Sequence, residues 1–146
     1  GIQNASFVAQ AVDWIPESLF QIVTAAFRHR GLSFVRILQR CPEFVGGMFE
    51  PWVHDPERML MLTHENGIKV SPALQKIYGN RIVHDPADIN RAREIASSED
   101  PIPVGILYHN PEVPCYEDLR RAGMLRTTDT IRSSFEAELD KFTVWP

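Results

Sequence analysis

The chain has 146 residues, enough for one domain with a real core, and is 44% hydrophobic and 23% charged with a formal net charge of -4. With a pI near 5.7, that balance excludes a basic nucleic-acid footprint and a polybasic membrane patch. No apolar stretch approaches the roughly 20 residues of a membrane-spanning helix, and two cysteines are too few for a disulfide framework, so a reducing cytoplasm is the expected compartment.

The opening Gly1-Ile2-Gln3-Asn4 lacks an initiator methionine and any basic-then-apolar leader pattern. Strand-like sequence starts almost at once, at about Ala5, so the expectation is a chain entered mid-fold. Residues 5–12, Ala-Ser-Phe-Val-Ala-Gln-Ala-Val, are short, apolar and bounded by polar residues, and read as a strand. Asp13 and Pro16 mark a turn into a helix over residues 17–30, where Leu19, Phe20, Ile22, Val23, Ala26 and Phe27 form a broad apolar stripe. Arg28, His29 and Arg30 load its last turn with positive charge, which suits the helix dipole, and Gly31 supplies the stop. Residues 32–41, Leu-Ser-Phe-Val-Arg-Ile-Leu-Gln-Arg-Cys, read as a second buried strand. Strand, helix, strand with tight joints is a βαβ unit with parallel strands and a right-handed crossover. The near-continuous apolar character of both strands implies a sheet covered on both faces.

Beyond Cys41 the texture changes. Residues 42–56 hold three prolines, Gly46-Gly47 and the aromatics Phe44, Phe49 and Trp52. This is too apolar for a solvated linker and is expected to be an ordered, packed loop. Met59 to Thr63, Asn66-Gly67 and Ile68 to Val70 suggest a small hairpin, since Asn-Gly is a strong turn signal. A short helix is expected over 72–78. A better one is expected from Asp85-Pro86, with Asp as N-cap and Pro at the first position, carrying Ile89, Ala92, Ile95 and Ala96. Residues 103–108, Pro-Val-Gly-Ile-Leu-Tyr, read as a strand, followed by a short helix over 116–122 and a terminal one over 128–142.

Candidate chemistry is sparse. Of the five histidines, none is spaced with a carboxylate or second histidine as a metal-binding helix requires. His54-Asp55-Pro56 and His84-Asp85-Pro86 repeat a tripeptide, best read as two Asp–Pro helix starts rather than a true repeat. His64-Glu65 reads as part of a solvated turn, not an acid–base pair. Ser97-Ser98 and Ser133-Ser134 lack a nucleophile-elbow context, and Gly46-Gly47 is no phosphate cradle. Cys115, after Pro114, reads as a buried or partly exposed loop thiol. Cys41 stands at the carboxyl end of a strand, where open α/β sheets bind ligands. Spacing alone leaves both a plain buried thiol and a metal or cluster ligand open there.

The ordered set of motifs carries a resemblance. Residues 5–10 (Ala-Ser-Phe-Val-Ala-Gln), the helix ending in Arg28-His29-Arg30-Gly31, and residues 33–42 ending in Cys41-Pro42 resemble the beta, thiamine diphosphate-binding, subunit of 2-oxoacid:ferredoxin oxidoreductases, 2-oxoglutarate type. Val83-His84-Asp85, residues 101–108 and Pro114-Cys115-Tyr116-Glu117 extend the likeness over nearly the whole chain. It covers only the C-terminal half of that subunit.

The resemblance implies an α/β fold: residues 1–42 as the C-terminal βαβ part of a thiamine diphosphate-binding fold, and residues 43–146 as a mixed α/β extension. It implies work with an alpha subunit in a hetero-oligomer. A 2-oxoacid, with 2-oxoglutarate expected, is oxidatively decarboxylated to an acyl-coenzyme A, and electrons pass through a [4Fe-4S] cluster to ferredoxin. Thiamine diphosphate, Mg2+ and [4Fe-4S] are the cofactors implied for the intact enzyme. Cys41 matches the fourth cluster ligand and is the one candidate cofactor and metal ligand; Cys115 stands where threonine is more usual and receives no role. The Gly-Asp-Gly motif and the other three cluster cysteines have no counterpart here, so neither cofactor nor catalysis is expected of this chain alone. Two alternatives stay open: a non-catalytic α/β binding or assembly module, and a mononuclear metal site joining Cys41 to histidines.

Overall fold

The computed structural model describes residues 5–44, 46–65, 68–121 and 127–142. Residues up to 115 form one compact unit and those from 116 a second. The first is an α/β unit around a five-stranded mixed sheet of strand order β2-β1-β5-β3-β4.

β1 (Phe7–Val12), α1 (Pro16–Arg28) and β2 (Ser33–Leu38) form the expected parallel βαβ unit, with Phe7 opposite Ser33 and Val12 opposite Leu38. Pro16 opens α1, where its missing N–H costs nothing. At Gly31 (φ +153°) an added Cβ would lie 2.4 Å from Ser6 Oγ and 2.7 Å from His29 Nε2, so glycine is required for the chain to pass there.

β2 departs from expectation. It stops at Leu38, short of Cys41, and lies at the sheet edge with Phe34 and Ile37 exposed. The sheet is therefore not covered on both faces at this strand. α1 buries Ser18 and Ile22 against the sheet, yet its opposite side carries Phe20, Val23 and Phe27. These three share one stripe by helical spacing, and Phe20 and Phe27 are 73% and 89% exposed.

α2 (Glu50–Val53) and a 3-10 turn (Pro56–Arg58), capped by Asp55 through Glu57 N–H, lead into β3 (Met59–Thr63). The aromatic loop divides. Phe49 and Trp52 pack on the core and on each other, whereas Phe44 is exposed. Arg58 and Trp52 both bond Asp100, tying the start of β3 to the approach to β5 (Ile102–His109).

β3 is not a hairpin arm. Met59, Met61 and Leu62 are buried on alternate faces, the signature of a central strand. It pairs in parallel with β4 (Arg81–Val83) on one side and β5 on the other. Residues 68–70 form no strand, and Asn66-Gly67 lie outside the described residues. α3 (Pro72–Ile77) is capped by Ser71.

α4 (Ile89–Ala96) starts later than the Asp–Pro pair implies. Its N-cap is Asp88, whose carboxylate accepts from Asn90 and Arg91 N–H. Asp85 instead closes a tight turn through Ala87 N–H at 2.9 Å. The Pro86 carbonyl is taken by the His109 N–H at 2.8 Å, which holds this stretch to β5 and delays the helix.

β5 lies between two strands of opposite sense. It runs parallel to β3 and antiparallel to β1, with Phe7 opposite His109. The main core packs Phe7, Ala9, Ala11, Met59, Met61, Val104 and Ile106 with Ile15 and Ile22 of the α1 side. A smaller cluster of Leu62, Ile95 and Leu107 lies under α4. In the second unit, α5 (Tyr116–Arg121) and α6 (Thr128–Asp140) match expectation, and Thr127 caps α6 through Thr130 N–H. Among the described residues no helix is long and apolar enough to cross a membrane.

Candidate functional sites at the two edges of the sheet

Because β5 reverses the sense of the sheet, it has two carboxyl edges. β1 and β2 end at one; β3, β4 and β5 end at the other.

Cys41 belongs to the first edge. The chain leaving β2 is anchored by Arg40, whose backbone N–H and Nε both donate to Asp13, at 3.1 and 2.9 Å. Its guanidinium also lies over the Trp14 ring at 5.8 Å. Cys41 N–H then donates to the Gln39 carbonyl, a tight local turn. The half-buried thiol lines a small cleft of about 190 Å³ together with Gly46, Gly47, Phe49 and Glu50. The two glycines and Pro42 give this wall little side-chain bulk.

A [4Fe-4S] cluster takes four thiolates as a rule. This chain has two cysteines, and among the described residues no three His, Cys, Asp or Glu side chains are placed to hold a metal ion. The cluster therefore does not fit this chain alone. Nor does the structure join Cys41 to the histidines at β3, β4 and β5, which lie at the opposite edge. His54 is taken up by Glu50, at 2.6 Å.

The second edge holds what the sequence reading missed. His64 directly follows β3, His84 directly follows β4, and His109 ends β5. Thr63 pairs with Val83, so His64 and His84 leave the sheet side by side. Their rings meet edge to face at 4.8 Å. His109 packs in the same manner on His29 at 5.1 Å, and His29 Nε2 bonds Ser6 Oγ at 2.7 Å. Four of the five histidines thus gather at one edge.

His64 is only 4% exposed and His84 only 6%. His64 is therefore no part of a solvated turn. Burial holds its imidazole below the usual histidine range; the hydrogen bond to the His84 carbonyl and the Asp85 charge oppose this in part, and the His84 and His109 rings add to it. His29 is lowered as well, by burial and then by His109. The available signal was positional: His64, His84 and His109 each close a strand, and His29 closes the helix that precedes one. Cys115 is a half-buried loop thiol, as expected.

A family model described as the C-terminal region of the pyruvate ferredoxin oxidoreductase beta subunit matches residues 74–122. The chain shares distant homology with the beta subunits of 2-oxoacid:ferredoxin oxidoreductases. Subunit beta of 2-oxoacid:ferredoxin oxidoreductase 2 from Aeropyrum pernix is 27% identical over 77% of this chain and 34% of its own length. The 2-oxoglutarate oxidoreductase subunit KorB of Mycobacterium tuberculosis is 27% identical over 92% of this chain and 42% of its own. A 2-oxoacid:ferredoxin oxidoreductase beta subunit from a Sulfolobus species is 25% identical over 80% and 36%. The chain thus spans between 34% and 42% of the length of these relatives. No solved structure matches it.

Proposed function

We propose that this chain is the C-terminal part of a 2-oxoacid:ferredoxin oxidoreductase beta subunit. Residues 1–42 complete a thiamine diphosphate-binding domain, residues 43–146 form an extension beyond it, and Cys41 is the fourth ligand of a [4Fe-4S] cluster. The complete enzyme, with its alpha subunit, converts a 2-oxoacid and coenzyme A into an acyl-coenzyme A and carbon dioxide. The electrons released pass through the cluster to ferredoxin. 2-Oxoglutarate is the substrate favoured, because KorB is named for it.

The observation that carries this reading is the pairing of α1 with the edge of β2. A helix apolar on both faces belongs in the middle of a fold, and Phe20, Val23 and Phe27 leave its outer face apolar. A parallel edge strand with exposed Phe34 and Ile37 calls for a further strand and its covering helix. Both surfaces suit the remainder of a subunit of which the relatives' length leaves well over half unmatched. Cys41 follows the same edge strand, three residues after its end.

The test is recovery of the protein from its native host through an affinity tag on this chain. An associated alpha subunit, ferredoxin-dependent oxidation of 2-oxoglutarate, and an iron–sulfur signal lost in Cys41→Ser are the expected results. A stoichiometric [4Fe-4S] cluster on the isolated 146-residue chain would overturn the ligand count on which the reading depends.

A second reading is a non-catalytic α/β module. It draws on the lack of any metal-holding trio among the described residues. Tagged protein that associates with no alpha subunit and carries no iron supports it.

A further inference from the structure

The histidine edge has chemistry independent of the Cys41 reading. His64, Glu65, His84, Asp85 and His109 line an open cleft of about 600 Å³. Two backbone carbonyls set the tautomers of the paired imidazoles. His64 Nδ1 lies 3.1 Å from the His84 carbonyl, and His84 Nε2 lies 2.8 Å from the Ile106 carbonyl. A carbonyl oxygen only accepts, so each of these nitrogens carries the proton. In the neutral rings, His64 Nε2 and His84 Nδ1 are then bare acceptors. Both are buried, and neither has a hydrogen-bond partner among the described residues. Buried acceptors are rarely left unmet without a reason.

The rest of the lining agrees in sign. Glu65 and Asp85 add carboxylates, and no lysine or arginine lines the cleft. One Asp85 oxygen accepts from Ala87 N–H, and the other is uncommitted among the described residues. Such a wall repels phosphate and other anions. It offers a divalent metal no trio of ligands. What it lacks is a positively charged hydrogen-bond donor.

We propose that this cleft binds a primary ammonium group, whose N–H donors reach His64 Nε2 and His84 Nδ1 while its charge faces Glu65 and Asp85. Both ring nitrogens are closed to solvent, so a side-chain rotation in the cleft wall accompanies binding. The group can come from a free amine or from a lysine side chain, and the two sources share this chemistry.

The experiment is a titration of the [15N]histidine-labelled chain, read by the imidazole nitrogen resonances. The probes are putrescine, the peptide acetyl-Gly-Lys-Gly-amide and sodium phosphate. The expected result is a saturable upfield shift of the two bare nitrogens with an amine. A response to putrescine alone assigns a small amine; a response to the peptide as well assigns a protein side chain. Glu65→Gln with Asp85→Asn should weaken amine binding by at least roughly tenfold, since both carboxylates facing the ammonium charge are neutralised. No saturable shift with either amine on the unaltered chain overturns the proposal, whether or not the variant folds. So does an equal shift with phosphate.

Discussion

The backbone carbonyl of His84 fixes the tautomer of His64: it accepts the His64 Nδ1 proton at 3.1 Å, while the two rings pack edge to face at 4.8 Å. The consequence is a stability that depends on pH. Burial lowers the folded pKa of His64 below its ordinary 6.5, so the unfolded chain binds more protons over that interval. Stability is then full above about pH 6.5 and falls as pH drops toward the lower folded value. His29, lowered by burial and by His109, adds to it in the same sense. Thermal melts at a series of pH values should show a falling Tm on the acid side, with a shallower slope in His64→Gln. A flat profile would count against a buried neutral His64.

Gly105 is needed where β5 meets β3. Its φ is +140°, and an added Cβ would lie 2.7 Å from Leu62 Cβ and 3.0 Å from the Leu62 carbonyl oxygen. Gly105→Ala should therefore cost about 1–3 kcal/mol through strain and overpacking, read as a lowered denaturant midpoint at unchanged slope. The same substitution made at exposed Gly47, whose nearest outside neighbour is a flexible Glu50 carbon at 4.0 Å, lacks the packing clash and reports the cost of a positive φ alone.

The two sides of α1 should respond in opposite ways. Ile22 is fully buried, so Ile22→Ala should destabilise the chain by about 2–5 kcal/mol. Phe27 is exposed on the far side, and Phe27→Ser should change stability by no more than about 0.5 kcal/mol. Under the proposed function Phe27→Ser instead weakens association with the remainder of the subunit. Chemical denaturation and recovery of tagged complexes separate the two effects.

Cys41→Ser should leave the melting of the isolated chain nearly unchanged, within about 0.5 kcal/mol, because the thiol is half-exposed in a loop and fills no core position. Under the proposed function it should also remove the iron–sulfur signal of the native assembly. A large stability loss in the isolated chain would mean that Cys41 is a packing residue.

The first βαβ unit was legible because its signals are local: an apolar run, a proline at a helix start, a glycine after a charged last turn. β5 and the helices at 72–77, 116–121 and 128–140 were legible for the same reason. β3 was misjudged because periodicity does not say which strand is the neighbour. Its partners, Arg81–Val83 and Ile102–His109, lie about 20 and 40 residues on, whereas the Asn66-Gly67 signal names only the adjacent segment as partner. Asp85 and Asp88 are equally good caps by composition. The bond from His109 N–H to the Pro86 carbonyl decides between them, and no local rule contains it. The histidine edge was invisible for a related reason. Histidines 20 and 25 residues apart (64 to 84, 84 to 109) become neighbours only when three parallel strands end together.

β5 also dictates when this chain can fold. Among the described residues it is the last strand in chain order and alone links the β1–β2 pair to the β3–β4 pair. Until residues 102–109 are made, the β3–β4 pair has no strand to join it to β1, and a two-stranded piece is marginal by itself. Closure then requires Phe7 to find His109 across most of the unit, a contact of high sequence separation that slows folding. The β3–β4 pair is therefore most open to mispairing before Ile102–His109 is in place, and this chain by itself, truncated before Ile102, should yield no cooperative fold.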